Sequence, residues 1–499
     1  MWEATLLGFQ TVLEPLHLLM LIGGTFLGIF VGAVPGMNGP MAIVLLAPFT
    51  LTMPFTAGLT MAVGIYCGQL FGGSITAILF KAPGTEVAAA TVIDGYEATK
   101  KGNSEIALRT AILSSAIGGL FSLVVLMVFA PRLARFALTF SSIEYFAFAF
   151  FGLCVIGSLL SDVPIKGMVM MFIGLFLTTV GTDPMTGVTR FTFGYQPLLL
   201  GFEMIPVLLG LYPMAETFVQ IVNPKRVELI TKDKKGINWR KTINSIWGLK
   251  NTILRSSILG TLIGMLPGAG GTAASFMAYA DARRSSKQKS EFGKGCLEGI
   301  AAPEAANNAS SGGAMIPLLT LGIPGSLTTA VIIGLFISHG LQPGPLLFIN
   351  QPIIAYSVYA GLFLANLLLI PGGIYGAKLF SKFSKISPRL LYPIIFCISI
   401  TGAYSMRNSF IDVYIAIFFA IVGFYLQKYD YPAPPLVIGM VLGSLAETTF
   451  RESMLIFNKD LTAFFTRPIS AIFMSAAFLS LIWPVIKNIK EKYGNTKRV

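Results

Sequence analysis

The chain of 499 residues is 54% hydrophobic and 12% charged, with a mean hydropathy of +0.74. Soluble domains are about one-quarter charged, so this composition excludes a soluble enzyme or binding module and marks an integral membrane protein. The formal net charge of +13 is confined to a few loops, chiefly Asn223–Lys250, Arg283–Lys294 and Lys487–Val499; this positive-inside pattern assigns those segments to the cytoplasm and excludes nucleic acid as a partner.

Taken in chain order, the first apolar run at 16–35 has no basic segment before it, and a cleaved signal peptide is not expected. No Asp, Glu, Lys or Arg occurs in the 66 residues between Glu14 and Lys81. A single span needs only about 20 apolar residues, so this stretch must fold back through the bilayer. Further apolar segments lie at 56–80, 106–130, 143–161, 165–181 and 198–222. After the basic linker come 251–267, a broken segment within 312–340, then 354–377, 390–405, 412–428, 434–450 and 468–486. The expected fold is an all-α polytopic membrane protein with eleven to thirteen membrane segments.

Two runs end alike. GIFVGAVPG at 28–36 and GTLIGMLPG at 260–268 share G-x-x-x-G-x-x-P-G at an offset of 232. Gly72-Gly73 and Pro83-Gly84-Thr85 are answered by Gly312-Gly313 and Pro324-Gly325-Ser326; Pro206, Gly210 and Ala215-Glu216-Thr217 by Pro435, Gly439 and Ala446-Glu447-Thr448. Three blocks in one order make an internal duplication: 1–222 is the first repeat, 223–250 a cytoplasmic linker, 251–450 the second repeat, and 451–499 an extra helix with a basic cytoplasmic tail. Charge placement reads the two repeats as inverted.

Gly and Pro breaks at matching positions are the build of secondary transporters, whose discontinuous helices meet near the bilayer midplane. Irregular backbone at that depth must line a cavity or be buried in protein, so the segments after each break, 40–52 and 272–282, read as half-helices. A helix starting after Pro-Gly presents free N–H groups and a positive dipole end to an anion. The candidate substrate residues are therefore Pro35, Gly36, Asn38 and Gly39 at one tip, and Pro267, Gly268, Gly270, Thr272 and Ser275 at the other. Packing and helix termination alone are the alternative reading of both tips.

Within the densest polar stretch, 299–326, Glu304 is followed by 73 residues without Asp, Glu, Lys or Arg. Ionisable groups inside a membrane are functional candidates, so Glu304, Asn307, Ser310 and Ser311, with Thr85 and Ser326 at the second pair of breaks, are candidates for a coupling ion, Na⁺ or H⁺. Asn307 and Asn308 are also candidate substrate donors. Lys81 reads equally as a substrate contact and as an interfacial snorkel. Cys67, Cys154, Cys296 and Cys397 form no C-x-x-C pair, His17 and His339 stand alone, and no P-loop occurs. No catalytic residue, cofactor or ATP-driven pumping is assigned.

The stretches APEAANNASSGGAMIPLLTLGIPGS (302–326), GAVPGMNG (32–39), APGTEVAAATVIDGYEATKKG (82–102) and GMLPGAGGTAASFMAYADARR (264–284) together resemble TctA, the large membrane subunit of the tripartite tricarboxylate transporters. The resemblance covers nearly the whole chain. It implies a bacterial inner-membrane carrier that works with a small membrane subunit, TctB, and a periplasmic solute-binding protein, TctC. It also implies import of carboxylates such as citrate on a Na⁺ or H⁺ gradient. Met37-Asn38, Phe80-Lys81 and Asp281 depart from the family pattern, which bears on the substrate and not on the class. An uncoupled anion channel is the alternative; a membrane enzyme is disfavoured because no metal cluster or His-based nucleophile site is visible. Carriers with large rigid-body movements often use a dimeric scaffold, so a homodimer is the assembly to test.

Overall fold

A computed structural model describes residues 2–34, 36–159, 164–222, 239–268, 270–383 and 388–480. Pro35, most of the basic linker (223–238) and the carboxyl-terminal tail from 481 lie outside the described residues. Helices dominate; the described strands are β1 (Gly181–Thr182) and β2 (Thr189–Arg190), which pair antiparallel as a small hairpin. Among the described residues seven helices are long and apolar enough to cross a membrane and five shorter ones are apolar. The fold is that of an all-α polytopic membrane protein.

After α1 (Trp2–Leu13), helix α2 (Pro15–Ala33) ends at the first Pro-Gly and α3 (Gly39–Thr50) starts beyond it. Twelve residues of helix rise only about 18 Å, well short of the ~30 Å hydrocarbon core, so α3 is a half-helix. Helix α4 (Phe55–Phe80) stops at Lys81, which turns the chain with a left-handed φ of 59°, and α5 (Ala89–Lys100) begins after the second break. The first half continues with α6 (Ser104–Ala137), α7 (Ser142–Leu159), α8 (Pro164–Thr178) and α9 (Met204–Val222). A π-helical turn at Gly210–Met214 accommodates Pro213 within α9.

The later chain runs through similar elements. A short helix α10 (Trp239–Gly248) leads to α11 (Lys250–Met265), half-helix α12 (Gly270–Ser285), α13 (Glu298–Leu321) and α14 (Leu327–Ser338). Then come α15 (Pro352–Phe383), α16 (Pro388–Arg407), α17 (Phe410–Lys428), α18 (Pro434–Ile456) and the apolar α19 (Pro468–Ser480). Helix α13 is buried from Gly299 to Leu321. The polar stretch is therefore inside a helix at the centre of the protein, not a loop.

Backbones touch along both G-x-x-x-G faces. A Cβ on Gly28 or Gly32 of α2 would strike the backbone of Ile65 or Gln69 in α4; one on Gly260 or Gly264 of α11 would strike Ala306 or Ser310 in α13. Glycine is needed there for close approach. Outside this centre, α8 runs parallel to α18, with Met171 level with Gly439 and Thr178 with Gly443. Helix α17 runs parallel to α9, with Ala416 level with Gly210 and Phe424 beside Phe218.

Candidate functional site

Both tips are built as breaks. Val34 and Leu266 leave their helices in extended conformation, and Gly36 and Gly268 then take φ of 91° and 78°, values that an L side chain adopts only under strain. Asn38 caps α3: its Oδ1 accepts from the Met41 N–H at 3.0 Å. Gly39 is packed against the Gln69 side chain. The two tips differ in what faces them. A Cβ on Gly36 would meet Glu216 Oε1 and Gln220 Nε2, whereas one on Gly270 would find nothing within 4 Å. The first tip thus faces a carboxylate of the protein itself, and the second borders open space.

At the second tip Gly268 N–H donates to Gly325 O at 3.2 Å, tying the α11–α12 break to the α13–α14 break, and Pro267 packs near Gly152 and Ile323. Thr272 is partly exposed. Ser275 turns away: its hydroxyl donates to Gly271 O at 2.8 Å and lies 3.4 Å from Pro303 O, buried against α13.

The residues read as one cluster in 299–326 do not all face one site. Glu304 is fully buried and accepts hydrogen bonds from Ser74 of α4, from Thr91 of α5 at 2.5 Å and from Ser115 of α6 at 2.8 Å. Among the described residues no basic side chain pairs with it. Asn307, one turn on, sends its Nδ2–H to Leu70 O at 3.1 Å. Asn308 lies one turn beyond Glu304 on the same side of the helix, its Nδ2 3.4 Å from Glu304 O. Ser310 faces α11, and both serines bond back within the helix, Ser310 to Asn307 O and Ser311 to Asn308 O, each at 2.6 Å. The Oδ1 atoms of Asn307 and Asn308 and the Oγ1 of Thr85 are buried without a hydrogen-bond partner among the described residues.

Ser326 caps α14 in a reciprocal capping box with Thr329 and lies 3.2 Å from the Tyr66 hydroxyl. Lys81 is exposed, with its Nζ 5.9 Å from the centre of the Tyr96 ring, the posture of an interfacial lysine. Glu447, which the sequence pattern sets beside Glu216, is bound to Arg190 and Arg451. No group of three His, Cys, Asp or Glu that could hold a metal occurs among the described residues.

Sequence reasoning missed Asp94 as an organising residue. Its Oδ1 accepts the N–H groups of Gly293, Gly295 and Cys296 at 2.9, 2.8 and 2.8 Å, and its Oδ2 accepts the Tyr279 hydroxyl at 2.8 Å. The signal available was an acid beside Gly95 facing a glycine-rich turn, GKGC, two hundred residues away.

The sequence profile described as "Tripartite tricarboxylate transporter TctA family" matches residues 18–438. An Agrobacterium vitis protein described as "Uncharacterized 52.8 kDa protein in TAR-I ttuC' 3'region" is 37% identical over 486 residues, 97% of this chain and 96% of its own length. Another from the same organism, "Uncharacterized protein in TAR-II ttuC' 3'region", is 39% identical over 233 residues, 47% of this chain and 96% of its own length. No solved structure matches.

Proposed function

The chain belongs to the tripartite tricarboxylate transporter TctA family, and from that premise we propose that it is the carrier subunit of a gradient-driven importer of tricarboxylates or related carboxylates. A periplasmic binding protein delivers the substrate and a small TctB-like membrane subunit completes the complex. The carrier sits in the bacterial inner membrane with 223–250 and the carboxyl terminus in the cytoplasm, and Na⁺ or H⁺ drives uptake.

The observation that carries this reading is the second tip, where α12 begins beyond Gly268 beside open space. Free N–H groups and the positive end of a helix dipole there suit a carboxylate. Thr272 is the side-chain donor at that tip. At the first tip Gly36, Asn38 and Gly39 approach the same substrate in another conformation, after Glu216 moves aside.

The reading of two inverted halves is supported by the exchange of packing partners. Helix α8 of one half lies along α18 of the other, and α17 lies along α9. Asp183 and Arg190, just before α9, bind Arg451 and Glu447 near the end of α18. Helices α9 and α18, which the duplication equates, therefore point in opposite directions. Rocking of one half against the other around the tips supplies alternating access.

The test is uptake into proteoliposomes holding this chain and its small subunit, with binding protein loaded with a radiolabelled tricarboxylate. Uptake should saturate and should stop when the Na⁺ and H⁺ gradients are collapsed. Unsaturating flux that persists without either gradient would instead make the chain an anion channel.

A further inference from the structure

Two buried oxygens lie around one glycine: Asn307 Oδ1, which has no hydrogen-bond partner among the described residues, and Ser310 Oγ, which donates to Asn307 O. Asn307 Oδ1 and Ser310 Oγ lie 3.1 and 3.0 Å from the point where a Cβ on Gly271 would sit, with Val87 Cγ1 closing the same space at 3.1 Å. Gly271 is not among the glycines with positive φ, so the backbone does not demand glycine there. What glycine provides is room beside two oxygens.

The orientation of these oxygens is set by their other bonds. Asn307 gives its amide N–H to Leu70 O, so Oδ1 is the atom left facing Gly271, and it can only accept. Ser310 gives its proton to Asn307 O, so its lone pairs are what remain. Thr85 completes the surroundings. It packs on Gly73, one turn along α4 from Leu70, and two residues before Val87. Its hydroxyl is buried and has no hydrogen-bond partner among the described residues. Ser326, its counterpart in the duplication, is fully used in the α14 cap; Thr85 makes no such cap bond.

Asn307 Oδ1 can only accept and the Ser310 proton is already given, so an apolar side chain or an anion gains nothing from these two, and leaving a buried acceptor unpaired costs about 1–3 kcal/mol. A small hard cation satisfies several at once, as unwound helix segments do in other carriers. We propose that Asn307 Oδ1, Ser310 Oγ and Thr85 Oγ1 form a Na⁺ site at Gly271, on the flank of the second tip. The proposal rests on the ion-coupled reading above and deepens it: the coupling ion is Na⁺, held by neutral oxygens beside the half-helix that meets the substrate. Glu304, saturated by three hydroxyls, acts as a structural latch and not as the ion carrier.

The test is thermal unfolding of the purified full chain in detergent, in NaCl and in choline chloride at equal ionic strength. A ligand that binds only the folded state raises the midpoint as its concentration rises. NaCl should raise the midpoint of the wild type and choline chloride should not. Thr85→Val and Ser310→Ala should match the wild type in choline, because neither loses a bond between elements, yet require roughly ten-fold more Na⁺ or greater for the same rise. Gly271→Ala, which fills the space, should abolish the rise.

Equal midpoints of the wild type in both salts would overturn the site and leave a bridging water as the partner of these oxygens; so would Na⁺ curves of all three variants that overlay the wild type. Proteoliposome uptake separates the two readings. Proton-driven uptake with the Na⁺ rise intact keeps the site and refutes its role in coupling. Na⁺-driven uptake with overlaid curves refutes the site and keeps the importer.

Discussion

Ser115 Oγ donates to Glu304 Oε2 at 2.8 Å across the α6–α13 contact, and it joins the second half of the protein to a carboxylate nest completed by Ser74 and Thr91 of the first. All three hydroxyls point inward, so the acid and its donors stand or fall together. Replacing Glu304 with Leu leaves three buried hydroxyls without an acceptor, at about 1–3 kcal/mol each. The Glu304→Leu protein should fail to purify as a monodisperse species. Glu304→Gln keeps an acceptor, and rotatable hydroxyls can accept from its new N–H₂. It should purify normally, with a melting midpoint lowered by only a few degrees, and should keep Na⁺-driven uptake. Loss of uptake by a well-folded Glu304→Gln protein would make this acid part of the coupling.

The close helix contacts make a second expectation with its own control. A Cβ at Gly264 would strike Ser310 O, whereas one at Gly23 of α2 would meet nothing within 4 Å. Gly264→Ala should destabilise by about 1–3 kcal/mol, as overpacking does. Gly23→Ala should be neutral or stabilising by about 0.5–1 kcal/mol, because alanine is the better helix former. Melting midpoints of the two variants check the sign of each effect. Equal midpoints would show that the α11–α13 approach is looser than the structure has it.

Those contacts were legible in the sequence because a helix repeats its face every three to four residues, so Gly28, Gly32, Gly260 and Gly264 declare a face before any partner is known. The breaks were legible for a similar reason: Pro and Gly act locally, and α2, α4, α11 and α13 all end where the motifs say. The grouping of the site was not. Glu304 and Asn308 share one side of α13 whereas Ser310 lies against α11, and Glu304 draws its partners from residues 74, 91 and 115, a set that no local pattern links.

Asp94 supplies a third prediction, because one carboxylate organises the whole turn between α12 and α13. Asp94→Ala orphans three backbone N–H groups and the Tyr279 hydroxyl. At about 1–3 kcal/mol for each buried group, the turn should open even if the helices persist. Asp94→Asn retains a neutral acceptor and should lie between the two. Amide exchange of residues 290–297 measures this directly: protection should fall in the order wild type, Asn, Ala. Unchanged protection in the alanine variant would mean that the turn is held by other contacts.

The β1–β2 hairpin should respond to acid, with a sign set by Asp183. This carboxylate accepts from the Thr186 hydroxyl at 2.6 Å, from Met185 N–H at 3.0 Å and from Arg451 Nη1 at 2.8 and 2.9 Å. These donors, the Thr186 hydroxyl first, hold its pKa well below the usual carboxylate range. Because the folded value is the lower one, Asp183 stabilises the hairpin above its unfolded pKa of about 3.9, and that contribution is lost as pH falls toward the folded value. Protection of amides in 181–190, corrected for the intrinsic pH dependence of exchange, should therefore be constant from pH 7 to 5 and should decline below about pH 4. Asp183→Asn should show the weakened hairpin already at pH 7, with a flatter acid limb. Added salt should loosen the wild-type hairpin only slightly, because partly exposed ion pairs such as Arg190–Glu447 and Arg451–Glu447 contribute little while the Asp183 carboxylate is buried. If protection instead fell between pH 7 and 5, a group of higher pKa would control the hairpin, and the Asp183–Arg451 pair would not be what fastens it to the end of α18.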